Sequence, residues 1–148
     1  MAEPLLRIEA LGKRYGTTDA LRGANLLVQR GEFICLLGAS GCGKSTLLRI
    51  VAGFEPPSSG RVTMGGEAVT GPGPNRGMVF QDYGLFPWLT VRDNVGFGPR
   101  ARGLPRAEIA RLADRFVSMV GLARFADSYP HQLSGGMKQR VAIARVLA

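Results

Sequence analysis

Cysteine and histidine are scarce in this sequence, and each scarcity excludes something. Two cysteines among 148 residues, Cys35 and Cys42, flank a glycine-rich segment whose spacing fits neither a metal site nor a disulfide framework. A reducing cytoplasm is the compartment such usage suits. Histidine occurs once, at His131, so no histidine-based metal cluster or paired-histidine chemistry can be assembled. No apolar run is long enough to cross a bilayer, and no secretory apolar region follows the first residues. Blocks of like charge are also missing. The net charge of +8 comes from arginines spread along the chain with little aromatic interleaving. A solvated basic surface therefore outweighs nucleic-acid binding, and charge alone selects no partner.

What is present is the composition of a globular protein of one-domain length, 45% hydrophobic and 20% charged. Leu5 to Leu11 alternates apolar and polar side chains, and Ala24 to Gln29 follows an Arg-Gly turn; both read as half-buried strands. Glu32 to Leu37 is a continuous apolar run between Gly31 and Gly38, the pattern of a strand buried on both faces of a parallel sheet, which would bury Cys35. Lys44 to Ala52 has the apolar spacing of a helix, with Gly53 as its stop. Pro56 to Gly60 reads as a turn, Arg61 to Met64 as a short strand, and Gly77 to Gln81 as another after a Gly-Pro loop. Leu104 to Gly121 carries a helical stripe of Ile109, Leu112, Phe116 and Val120. Ser134 can cap a last helix from about Gly135, with Val141, Ile143, Ala144 and Leu147 buried.

Two segments carry chemistry. Gly38-Ala39-Ser40-Gly41-Cys42-Gly43-Lys44-Ser45 matches GxxxxGK[ST] and lies between a strand pattern and a helix pattern, where that motif must lie. Glycines let the backbone aim successive N–H groups at phosphate oxygens, and the helix adds its positive end. Lys44 would neutralise the β- and γ-phosphates, the Ser45 hydroxyl would bind Mg²⁺, and Thr46 can support the same phosphates. This much points to a nucleoside triphosphate and nothing narrower. Downstream, Leu133-Ser134-Gly135-Gly136 places a hydroxyl and two glycines at the first turn of a second helix.

The two motifs together resemble the ATP-binding subunits of ABC transporters. The resemblance covers the whole chain and implies an α/β fold: a P-loop NTPase core of ABC type, incomplete here, with a helical subdomain. It divides the chain into 1–81 (antiparallel strands, Walker A and Q-loop), 82–132 (helical subdomain) and 133–148 (signature motif and the start of its helix). By the same resemblance Tyr15 stacks on adenine, Gly38, Ser40, Gly41, Cys42, Gly43, Lys44, Ser45 and Thr46 hold the triphosphate, and Ser134, Gly135 and Gly136 face the nucleotide of a second subunit. Gln81 is placed as the Q-loop glutamine, touching Mg²⁺ with Ser45 and orienting the attacking water. Alone, Tyr15 would be a turn residue and Gln81 a solvated strand end. The stretches Gly73 to Gln81 and Leu85 to Val91 are most similar to importers of nitrate, sulfonate and taurine type. The resemblance further implies ATP and Mg²⁺ as cofactors, a second ATP-binding subunit as partner, and a peripheral location on the cytoplasmic face of the membrane. The membrane permease would dock on 82–99. There Tyr83, Phe86 and Trp88 either meet the permease, pack on the helical subdomain, or do both.

Two departures from the family pattern matter. Met137 stands where glutamine is commonest and cannot supply its polar contact. Nowhere do four apolar residues precede an Asp-Glu pair, and the last acidic residue, Asp127, comes before Ser134. In the family the Walker B strand, D-loop and switch histidine would lie beyond Ala148, and His131, upstream of the signature, is an ordinary surface or loop residue. The chain is therefore expected to bind Mg-ATP weakly and to hydrolyse it only at background, with apolar surface and a strand edge left bare. A stand-alone nucleotide-binding module and a non-functional truncated remnant are the alternatives.

Overall fold

A computed structural model describes residues 3–148. The chain forms two compact units, one extending to Arg76 and the other spanning Gly77–Ala148. In the first unit, β1 (Leu6–Tyr15), β2 (Thr18–Val28), β3 (Ser59–Met64) and β4 (Glu67–Ala68) make one antiparallel sheet in the order β2-β1-β3-β4. Alternation turns Ile8 inward, and the register irregularity between Ile8 and Leu11, where Ala10 has φ 47°, brings Leu11 to the same core, where they meet Ile50 of α1 (Lys44–Ala52) and Val62 of β3. Burying each of these large aliphatic side chains contributes about 2 kcal/mol. Helix α1 ends where expected. Gly53 adopts the left-handed conformation and donates its N–H to the Arg49 and Ile50 carbonyls.

The second unit is helical: α2 (Val91–Val95), α3 (Phe97–Ala101), α4 (Arg106–Met119) and α5 (Gly135–Leu147), with single helical turns at Ala123–Phe125 and Pro130–Gln132. Its core joins Val91, Val95, Ala113, Val117, Leu122 and Val141, and the flanks Phe116, Val120 and Met137 pack against it. The expected stripe of Ile109, Leu112, Phe116 and Val120 is only half-buried, and the buried residues of α4 are Ala113 and Val117. Helix α5 starts at Ser134 as the cap pattern requires.

Several expectations are corrected. Residues 32–37 form no strand, and Phe33 and Leu37 are 94% and 88% exposed. A central strand exists only through hydrogen bonds to neighbours on both sides, and among the described residues no strand lies beside this segment. Glu32, Ile34 and Leu36 nevertheless line a groove with Leu26, Leu47 and Val51, so the alternation of a strand persists without its ladder. Cys35, expected in a buried strand, is exposed. Gly77 to Gln81 likewise forms no strand, and Gln81 lies in a turn. On α5, Ile143 and Leu147 are exposed, and burial falls to Val141, Ala142 and Ala144.

Candidate functional site

The phosphate loop is built by backbone. Gly43 stands at the N-cap of α1 with φ 96°, and a Cβ there would lie 2.4 Å from the Ala20 carbonyl oxygen, so this position excludes every side chain. No side chain caps α1, and its first turn holds no acidic residue. The N-terminal N–H groups are therefore uncapped and their positive potential is uncompensated by a carboxylate. The Lys44 ammonium folds back over the loop, donating to the Gly38 carbonyl at 2.7 Å and the Ala39 carbonyl at 2.6 Å, with the Cys42 sulfur at 3.4 Å. Among the described residues it has no carboxylate partner. A cation held by neutral acceptors beside open N–H donors suits a polyphosphate. Ser40, Gly41, Cys42 and Ser45 are exposed, and Thr46 is half-buried. Among the described residues no cluster of three His, Cys, Asp or Glu side chains that could hold a metal occurs, and the exposed Ser45 hydroxyl is a neutral oxygen available to a magnesium ion.

Tyr15, at the end of β1, is anchored at this edge. Its hydroxyl donates to the Glu55 carboxylate, which also pairs with the Lys13 ammonium at 3.3 Å. The same ammonium sits 5.1 Å from the centre of the Tyr15 ring and donates to the Pro56 carbonyl at 2.7 Å. The Tyr15 bond, helped by Lys13, holds the Glu55 carboxyl below its ordinary range, while the proximity of Glu55 raises the Tyr15 phenol. Tyr15 remains 45% exposed. Lys13 and Glu55 were invisible as a pair in the sequence, because nothing in their spacing marks two residues on different elements as neighbours.

In the second unit Ser134 caps α5, its hydroxyl accepting the Met137 N–H at 3.3 Å, and Ser134, Gly135 and Gly136 are exposed. Met137 packs on the helical core, which explains how methionine replaces a polar residue at this position without an unpaired group. Gln81 is exposed in a turn closed by the Tyr83 N–H to the Phe80 carbonyl at 3.1 Å. His131 is exposed, as expected of a surface residue, but lies in the single helical turn Pro130–Gln132, stacked near the Tyr129 ring.

Two residues that sequence reasoning passed over organise the loop after Gln81. Asn94 is fully buried; its amide accepts the Phe86 N–H at 2.9 Å and donates to the carbonyls of Phe86, Leu89 and Thr90. Arg145 of α5 donates to the Gly84 carbonyl at 2.7 Å and the Tyr83 carbonyl at 3.3 Å, with its guanidinium 5.5 Å from the centre of the Phe86 ring. Burial lowers the Arg145 pKa from its ordinary value. The available signal was an arginine embedded in the apolar run Ala142 to Leu147, where a charge needs a partner. Of the aromatics, Phe86 packs against Phe97 and Trp88, and Trp88 is 70% exposed. Phe86 thus packs on the helical unit as one reading expected, while Trp88 touches Phe86 and keeps most of its surface exposed.

Comparison with known proteins is unambiguous about kinship. The profile of the ABC transporter family matches residues 21–148. The nitrate import ATP-binding protein NrtD of Synechocystis sp. is 54% identical over 138 residues, 93% of this chain and 52% of the relative. The taurine import ATP-binding protein TauB of Chromobacterium violaceum is 56% identical over 129 residues, 87% of this chain and 49% of the relative. Among solved structures, a dimeric bacterial ABC transporter cassette matches with a TM-score of 0.87 at 34% identity, covering 97% of this chain and 69% of that one. A cassette of Clostridium perfringens, part of the ABC transporter complex CbiONQ, gives 0.85 at 36% identity, covering 99% and 62%. The chain spans about half the length of the curated relatives it matches. No described helix is long and apolar enough to cross a membrane. A phosphate loop followed by a serine-capped Ser-Gly-Gly helix, on a fold shared with these cassettes, places the chain in the ABC transporter family, as an ATP-binding domain with the P-loop NTPase fold.

Proposed function

We propose that these residues are the Walker A, Q-loop and signature-bearing part of the ATP-binding subunit of an importer for a small anion of the nitrate, sulfonate or taurine class. The carrying observation is the uncapped N-terminus of α1 with the unpaired Lys44 ammonium folded over it. Gly38, Ser40, Gly41, Cys42 and Gly43 cradle the phosphates of ATP, Lys44 neutralises them, Ser45 and Gln81 hold Mg²⁺, and Thr46 supports the same phosphates. Tyr15 lies under the base. Ser134, Gly135 and Gly136 meet the nucleotide of a second ATP-binding subunit, and Gln81 orients water. The exposed ring of Trp88 offers a permease an aromatic contact within 82–99, which would hold the subunit at the cytoplasmic face of the membrane. The substrate class rests on kinship with nitrate and taurine import proteins.

Both cysteines are exposed, which supplies the test. A maleimide reagent is expected to label Cys35 and Cys42 in the nucleotide-free chain, and saturating Mg-ATP to protect Cys42 alone, because phosphate fills the loop around its sulfur. Mapping of labelled peptides by mass spectrometry reads the result. Labelling of Cys42 that ignores Mg-ATP would remove the loop as the phosphate site.

A further inference from the structure

The turn that carries Gln81 is made in an unfavourable conformation and is tied to the signature helix. Tyr83 has φ 64°, a left-handed backbone that a bulky aromatic residue rarely adopts, and Gly84 follows with φ 53°. Such a turn persists only where its surroundings hold it. The holding group is Arg145, whose guanidinium donates to the carbonyls of both Tyr83 and Gly84 and lies over Phe86, the next aromatic along. At the other end of the same helix, a Cβ on Gly135 would come within 3.2 Å of the Tyr83 hydroxyl, so glycine at the start of the signature leaves room for that ring. Tyr83 therefore lies along α5, its side chain at the Ser-Gly-Gly end and its backbone on Arg145.

We propose that Arg145 is a positioning residue for Gln81: it locks the left-handed turn after Gln81 onto the signature helix, so that the glutamine and the Ser134 end of α5 move as one body. A planar fork is required, because two carbonyls on consecutive residues and an aromatic face must be met at once, which the point charge of lysine cannot do. The effect on turnover rests on the function proposed above; the effect on the turn does not.

The test uses the full-length subunit with Arg145→Lys, Tyr83→Gly and the double variant. In Arg145→Lys, amides of residues 82–87 are expected to exchange hydrogen about tenfold faster, those of α1 and α5 being unchanged, since local opening is read residue by residue. Turnover of ATP is expected to fall about tenfold with KM held within about twofold, the signature of an interaction that matters for chemistry and not for ground-state binding. Tyr83→Gly relieves the left-handed strain, so adding it to Arg145→Lys is expected to restore most of the turnover. Unchanged exchange at 82–87 in Arg145→Lys overturns the proposal. So does exchange that rises equally along α5, or a loss of turnover that Tyr83→Gly leaves undiminished. If the unaltered subunit shows no ATP turnover, the functional reading fails while the exchange measurement still decides whether Arg145 holds the turn.

Discussion

The two helices proposed to meet phosphate begin in opposite ways. Helix α1 starts at Gly43, in a left-handed conformation with no side-chain cap, and its lysine ammonium rests on two carbonyls. Helix α5 starts at Ser134, in an extended conformation, with the serine hydroxyl already accepting the Met137 N–H. The first leaves its donors for a ligand and adds a full charge; the second satisfies one donor internally and retains a hydroxyl proton to give. On the function proposed above, the first would bind nucleotide in its own right, and the second would add contacts to a nucleotide held elsewhere.

Removing the charge is the strongest way to break that contrast. Lys44→Ala is expected to weaken Mg-ATP binding by about a hundredfold, because charge-assisted hydrogen bonds to phosphate have no neutral substitute in the loop. Titration with a fluorescent nucleotide measures it. Unchanged affinity would mean that the exposed backbone donors do not form the site. The next largest effect lies outside both termini. In the full-length subunit, Trp88→Ala is expected to reduce recruitment to permease-containing membranes about tenfold while nucleotide affinity holds, as loss of an exposed aromatic anchor does. Recruitment unaffected by the change would leave Trp88 as no more than the packing partner of Phe86.

How much of this was legible in the sequence follows the range of the forces involved. Helices α1 and α5 were readable to the residue at their N-termini because caps and glycine stops are local. The segment 32–37 was not, since its apolar run specifies a buried strand only when neighbours supply the ladder, and among the described residues they are absent. Reading Cys35 as buried failed with it. Gly43 and Ser134 were legible because a left-handed N-cap and a side-chain cap each fix the residue type locally. Asn94 and Arg145 escaped because each answers to carbonyls made available by a turn, and a turn's carbonyls have no sequence signature. The Tyr15 clamp escaped for a different reason, the long sequence separation between β1 and Glu55.

The serine cap gives a smaller effect. Ser134→Ala is expected to lower stability by about 1 kcal/mol through loss of the cap to Met137. Nucleotide binding by the α1 loop is expected to be unaltered. A urea unfolding series reads the first quantity and nucleotide titration the second. A change in Mg-ATP affinity of the isolated chain would contradict the division of labour between the two termini.

The smallest effect comes from acid, and it separates the two sites by chemistry. The first has a titrating anchor, the Tyr15–Glu55–Lys13 cluster, whereas the cap of the second is a hydroxyl that does not titrate in this range. Hydrogen bonding from Tyr15 and the charge of Lys13 depress the Glu55 carboxyl in the folded chain. A depressed carboxyl stabilises the fold above its unfolded pKa, about 4.3, and that contribution disappears as pH falls through the lower folded value. Tyr15→Phe removes the hydrogen bond that depresses Glu55 most, so Glu55 is expected to return toward its ordinary range and the variant to be less stable near neutrality. The stability gap between the two proteins is then expected to narrow below about pH 4. Unfolding midpoints measured from neutral to acid pH check this. A gap independent of pH would show that Tyr15 stabilises β1 by packing, with its bond to Glu55 contributing nothing.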